Sequence, residues 1–227
     1  MWRISVLVEF CMAKANRMPV DANQEWFETV ETGGKLIRVS KFLREDFAVP
    51  IDFINARWQS LTLEERTSFA CAFAARRPLG DNDQELLDFL MKNGEPRIWR
   101  TIALSVVRHR DQGRAVNFLL SRINENVPPL ANYYQAICYL SASECIPALR
   151  QAITKHRIEV AMHPTLEGWA DRFIYLDYLY CAAALLITTG QQEYRAELVG
   201  IKSHPDEVIR QMVQMVLTTS SIESKEE

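Results

Sequence analysis

"EPRIWRTIALSVVRHRDQGRAVNFLLSRI", Glu95 to Ile123, and "VPPLANYYQAICYLSASECIPALRQAI", Val127 to Ile153, are two versions of one pattern. In the first, Pro96 stands where a helix starts, because the N–H that proline lacks has no partner in the first helical turn. Ile98, Ile102, Ala103, Val106 and Val107 recur at spacings of three and four and make one apolar stripe. "RHRDQG" breaks the stripe with charge and Gly113, and Ala115, Val116, Leu119, Leu120 and Ile123 make a second one. The reading is a helix, a tight turn and a helix. In the second version Pro129 opens, Leu130, Tyr134, Ile137 and Leu140 form the first stripe, "SASE" is the turn, and Ile146, Leu149 and Ile153 form the second stripe. Ala103 to Ala136 is an offset of 33, whereas Leu119 to Leu149 is 30. The missing residues fall in the turn, where a change of length costs least.

The same outline continues on both sides. "LEERTSFACAFAARRPLGDNDQELLDFLMKN", Leu63 to Asn93, has an apolar first helix, a turn at Pro78 and Gly80, then Leu86, Leu87 and Leu90. "DRFIYLDYLYCAAALLITTGQQEYRAELVGI", Asp171 to Ile201, turns at Gly190 and carries Tyr194, Leu198 and Ile201 on its second helix. "HPDEVIRQMVQMVL" begins a last unit at Pro205 and supplies one helix. A pair of amphipathic helices cannot bury both stripes alone, so successive pairs must stack. Self-similarity at a period of roughly 30 to 45 residues is the mark of an α-solenoid.

"EPRIWRTIALSVV", "IPALRQAI" and "HPDEVIRQMVQMVL" resemble HEAT-like repeats, with proline near the first helix start and an aliphatic second helix. The resemblance covers Leu63 to Leu217; "EVAMHPTLEGWADR" departs from it as an insertion, and no two copies are near-identical. It implies an all-α fold, a right-handed α-solenoid of antiparallel helix pairs of the HEAT or armadillo kind. Residues 1–62 are expected as a helical cap, with a helix over "DANQEWFETVE" capped by Asp21 or Asn23 and further helices in "GGKLIRVSKFLREDFAVPIDFINARWQSLT". Residues 63–219 are expected to hold the repeats and 220–227 a polar tail, all in one continuous domain.

Composition narrows the function classes. The chain of 227 residues is 48% hydrophobic and 24% charged, ordinary for a globular protein, with a formal net charge of −3. From Pro96 to Asn124 there are six arginines against one acid, while from Ala161 onward there are five basic residues against ten acidic ones. Such a balance disfavours a general polyanion binder and leaves room for a local basic patch. Five cysteines, Cys11, Cys71, Cys138, Cys145 and Cys181, are odd in number and form no CxxC pair, which predicts reduced thiols in the cytosol and no zinc site. The amino terminus has no h-region of useful length before a cleavage site, and "CAAALLIT" is too short to span a membrane.

No constellation for catalysis stands out. His109, His156, His163 and His204 lack metal-binding spacing, there is no GxSxG, and "TGGK" lacks the rest of a phosphate loop. His163 and His204 each precede proline, as "HPTLE" and "HPDE", which reads as a helix entry or as a repeated polar site. Trp169, Phe173, Tyr175, Tyr178 and Tyr180 cluster around Asp171 and Asp177; Phe173, Asp177 and Tyr180 share a helix face, and an acidic–aromatic face suits a basic partner. Arg108, Arg110 and Arg114 occupy one turn, with Arg76 and Arg77 in the corresponding earlier turn and Lys155-His156-Arg157 in a later one, so that stacked turns would form a basic ridge. The expected function is a non-enzymatic, cytoplasmic protein-binding module without cofactor, metal or membrane, such as an inhibitor or an immunity protein that neutralises a partner. Its binding residues are expected among Arg108, Arg110, Arg114, Trp169, Asp171, Tyr175 and Asp177. The alternative is a nucleic-acid-binding HEAT-like protein related to the DNA alkylation repeat glycosylases, whose groove is basic and lined with aromatic and acidic residues.

Overall fold

A computed structural model describes Met18–Pro19, Phe27–Thr32, Lys35–Ser40, Phe47–Ala48 and residues 51–76, 81–164 and 168–222. Side chains are described from Ile51 onward, those of Phe53, Asp81, Asn82, Trp169, Ala170 and residues 219–222 excepted. From Ile51 the described chain is helical and holds no strand. Its helices are α1 (Ile51–Arg57), α2 (Leu63–Ala74), α3 (Asp81–Asn93), α4 (Pro96–His109), α5 (Gln112–Glu125), α6 (Ala131–Leu140), α7 (Ile146–Met162), α8 (Trp169–Thr189), α9 (Gln192–Ile201) and α10 (Glu207–Ile222). The helices expected from Leu63 onward are all present, and α10 extends into the stretch expected as a polar tail.

Ahead of Ile51 the expectation of helices needs correction. Phe27–Thr32 (β2) and Lys35–Ser40 (β3) are antiparallel strands, with Phe27 opposite Ser40 and Thr32 opposite Lys35. Met18–Pro19 (β1) and Phe47–Ala48 (β4) pair in parallel. The strand chemistry is visible in "FETVET" and "KLIRVS", rich in β-branched residues, and the two residues between them in sequence are Gly33 and Gly34. Gly-Gly is a favoured composition for a two-residue hairpin loop. Asp21 and Asn23 lie outside the described residues.

The residues group into two compact units, Met1–His109 and Arg110–Glu227, and the division falls in the turn between α4 and α5. Each stripe of that pair is covered within its own unit: α4 packs on α2 and α3, and α5 packs on α6 and α7.

In the first unit Trp58, 2% exposed, is a hub in a 3-10 turn over Trp58–Ser60. Its ring meets Phe69 and Phe89 edge-on at centroid distances of 6.1 and 5.3 Å, and its Nε1 donates to the Asn93 carbonyl at 3.2 Å. Thr62 caps α2 by accepting the Glu65 N–H at 3.2 Å, and the Glu65 carboxylate accepts the Thr62 N–H at 3.0 Å.

In the second unit α8 is the central helix, in contact with α6, α7, α9 and α10. Tyr175, Tyr178, Leu179 and the run Cys181–Leu186 are buried along it. Among the described residues Asp171–Thr189 is the one stretch long and apolar enough to cross a membrane, and 61% of it is buried inside the protein, as a core helix requires. Asp111 starts α5 by accepting the Arg114 N–H at 2.9 Å. Gly190 ends α8 with φ +68°, a left-handed conformation that glycine adopts without steric penalty.

Candidate functional site

The polar side chains of the second unit divide into those that hold helices together and those gathered at one end. Asp177 belongs to the first kind. Pro128 and Pro129 have no N–H, so the first backbone donors leading into α6 are those of Leu130 and Ala131. Both donate to Asp177 Oδ1 at 2.7 Å, and Asp177 is 3% exposed. A carboxylate on α8 therefore caps α6.

His156, on the buried face of α7, makes a second internal chain. Its Nε2 lies 3.0 Å from the Tyr134 hydroxyl on α6 and its Nδ1 2.8 Å from Glu159 Oε2. Burial pulls the His156 imidazole below its ordinary value, with the Glu159 carboxylate opposing. Burial first, then the nearby Cys181, Asp177 and Glu159, raise the Tyr134 phenol well above its usual range. Carboxylate, imidazole and hydroxyl stand in a row, but Tyr134 is wholly buried and the row ends inside the core. A third link joins α7 to α9: Arg157 donates through Nε and Nη2 to the two oxygens of Glu197 at 2.7 and 2.9 Å. Burial alone would raise the Glu197 carboxyl; bonds from Arg157 and Tyr178 reverse this and hold it below its ordinary value.

The end of the unit where α7 stops, α8 starts, α9 stops and α10 starts is different. There the two His-Pro dipeptides converge on Tyr175. The Tyr175 hydroxyl donates to the His163 carbonyl at 3.0 Å and lies 3.4 Å from His204 Nε2, with the Tyr175 and His204 rings edge-to-face at 5.5 Å. His163 Nδ1 lies 3.2 Å from Asp171 Oδ1, while Asp171 Oδ2 accepts the Gly168 N–H at 3.0 Å at the start of α8. Burial, with Asp206 and Asp171 adding to it, raises the Tyr175 phenol. The same end carries large apolar side chains in water: Ile158 (58% exposed) and Met162 (65%) late on α7, Phe173 (41%) early on α8 and Val199 (46%) late on α9.

The residues singled out from the sequence separate on this framework. Tyr175 and Asp171 do come together, through His163, but both are buried rather than displayed, and Asp177 is an internal cap. The expected acidic–aromatic surface is thus an interior one, because each carboxylate there is taken by backbone donors of a helix start. The side chain of Trp169 lies outside the described residues. Phe173 is exposed while Asp177 on the same helix face is buried, so that face is not one surface.

Among the arginines, Arg108 is exposed in the last turn of α4, Arg110 is half-buried and Arg114 is exposed in the first turn of α5. The basic ridge expected around them loses Arg76, which is 6% exposed and bonded to the buried Asp83 at 2.7 Å. Arg77 lies outside the described residues. His156 is interior, and Lys155 and Arg157 sit within a helix that continues to Met162, bonded to Asn126 and Glu197.

His163 and His204 are not among the binding residues expected from the sequence. The signal that could have joined them is their shared His-Pro form; what brings them to Tyr175 is packing. No three of the described His, Cys, Asp and Glu side chains are grouped to hold a metal ion. No family model, no curated protein and no solved structure matches the chain.

Proposed function

We propose that the chain is a non-enzymatic protein-binding module with HEAT-like stacking, working in the cytosol as an inhibitor or immunity protein does, by occluding a partner. The observation that carries this reading is the exposure of Ile158 and Met162, 58% and 65%, one turn apart on α7. Large apolar and aromatic side chains left in water at one end suit a buried contact with another protein. The neighbouring polar groups are engaged with helix ends or with one another, which suits a rigid scaffold better than a reaction centre. The stacking draws support from α6, α8 and α10, the first helices of successive pairs, each packed on the next, and from the contact of α5 with α7. In this reading the pairs stack as a right-handed solenoid.

The test is capture from a lysate by the wild-type chain and by an Ile158→Asp, Met162→Asp double variant. The reading expects one protein at near-stoichiometric level with the wild type and its loss with the variant. Both positions are exposed, so the variant's melting transition should stay within about 0.5 kcal/mol of wild type. Absence of any such protein, or its undiminished capture by the variant, refutes the reading. The nucleic-acid alternative rests on the exposed Arg108 and Arg114 alone, and it requires salt-dependent binding to duplex DNA at about 50 mM salt.

A further inference from the structure

The hydrogen bonds around the His204 ring select one tautomer of its neutral form. Its Nδ1 accepts the backbone N–H of Asp206 at 3.1 Å, so that nitrogen carries a lone pair and no hydrogen. Its Nε2 lies 3.4 Å from the Tyr175 hydroxyl, whose single hydrogen is given to the His163 carbonyl at 3.0 Å. The phenol oxygen can only accept from His204, so Nε2 bears the ring's hydrogen. Every hydrogen-bonding atom of the ring is satisfied in the neutral form.

We propose that His204 is a proton-released latch on the start of α10: acidification breaks its bond to Asp206 and opens the first turn of that helix. A proton arriving at Nδ1 sets one N–H against another, and the Asp206 amide loses its acceptor. Asp206 is also the cap of α10, its Oδ1 accepting the N–H groups of Val208 at 2.7 Å and Ile209 at 3.4 Å. The N–H now facing the Asp206 amide pushes that residue out of the place from which its Oδ1 caps Val208 and Ile209.

The charged groups of this junction are of both signs: Asp171 on α8, Asp206 before α10, exposed Lys202 at the end of α9, and Arg210 on α10, whose Nη1 donates to the His204 and Pro205 carbonyls at 2.6 and 2.7 Å. Tyr175 is neutral. His163, 3.2 Å from Asp171 where α7 meets α8, is not part of the latch, and the response is local to α10. It stands apart from the protein-binding reading and does not depend on it.

Amide exchange compared at about pH 7.5 and pH 5.0, each corrected for the intrinsic rate, tests the latch. In the wild-type chain protection of the Val208 and Ile209 amides should fall about tenfold, the loss of roughly one hydrogen bond, while the Leu179 amide in the middle of α8 keeps its protection. His204→Asn places a carbonyl oxygen where Nδ1 was and cannot titrate, so its protection should be the same at both pH values. His163→Asn should fall as the wild type does. Unchanged protection in the wild type, or an equal fall in His204→Asn, overturns the proposal. Nitrogen chemical shifts of the His204 ring provide a check that needs no variant: a hydrogen on Nδ1 at pH 7.5 also overturns it.

Discussion

Replacing Asp177 by alanine tests whether this carboxylate is an internal cap or a contact for another molecule. The two bonds it accepts, from Leu130 and Ala131, are each 2.7 Å long, and the two donors belong to residues only 1% and 8% exposed. A hydrogen bond to a charged group contributes about 1.5–3 kcal/mol, and a buried donor left without an acceptor costs about 1–3 kcal/mol. These figures overlap, since both describe the same two bonds, so alanine should destabilise the second unit by about 3–5 kcal/mol. Asparagine keeps an oxygen in the same place and should cost about 1–2 kcal/mol. Urea unfolding followed by circular dichroism reads the difference: with a slope of about 2 kcal/mol per molar, the midpoint falls by about 2 M for alanine and by less than about 1 M for asparagine. Shielding by ordered water would show as a smaller alanine effect. An alanine variant within about 0.5 kcal/mol of wild type refutes the capping argument and returns Asp177 to the surface role expected from the sequence.

Gly94→Ala should destabilise the first unit by about 1–3 kcal/mol, because an added Cβ would lie 2.5 Å from the Leu90 carbonyl oxygen and 2.7 Å from Trp99 Nε1. The sign is diagnostic, since a glycine with room for a methyl group gains about 0.4–1 kcal/mol on the same change; a raised melting temperature contradicts the packing there. For His156, burial sets the folded value below the unfolded one, so the unfolded chain binds the proton first as pH falls. Stability from this residue is full above about pH 6.5 and is lost as pH falls toward the lower folded value. Urea midpoints at pH 7.5 and 5.5 should therefore separate more in wild type than in His156→Gln, and equal separations in the two proteins contradict the assignment.

What the sequence discloses and what it hides follow from the range of the interactions. Apolar periodicity is local, and it places α4 from Pro96, the turn after His109, and the buried set Ile98, Ile102 and Val106 where the structure has them. Gly190 announces the end of α8 for the same reason. The hairpin of β2 and β3 is equally local, but Asp21 and Asn23 as cap candidates make "DANQEWFETVE" read as a helix although it holds Thr29 and Val30. Asp177 could not be read at all as a cap. The segment before α6 offers Pro128, Pro129 and Leu130, none of which can cap a helix, and the acceptor comes from 47 positions away. The same holds for His163 and His204, whose common partner Tyr175 is 12 residues from one and 29 from the other.

The division between hidden and displayed groups bears directly on function. Asp177, His156 and Glu197 each use their polar atoms to fix one helix against another, so a substitution at any of them acts through folding. Ile158 and Met162 have the opposite character, because the buried face of α7 is already supplied by Leu149, Ile153 and His156. Nothing in the packing of the second unit requires two large apolar side chains in water at the end of that helix. Exposing them raises the free energy of the isolated chain relative to polar replacements, roughly in proportion to the apolar area left wet. In the proposed reading a partner protein removes them from water. The consequence is a dissociation between two measurements: charged residues at Ile158 and Met162 should leave unfolding unchanged and abolish association, whereas Asp177→Ala should do harm to both. If the two sets of variants behave alike, the separation of scaffold from binding end drawn from burial is wrong.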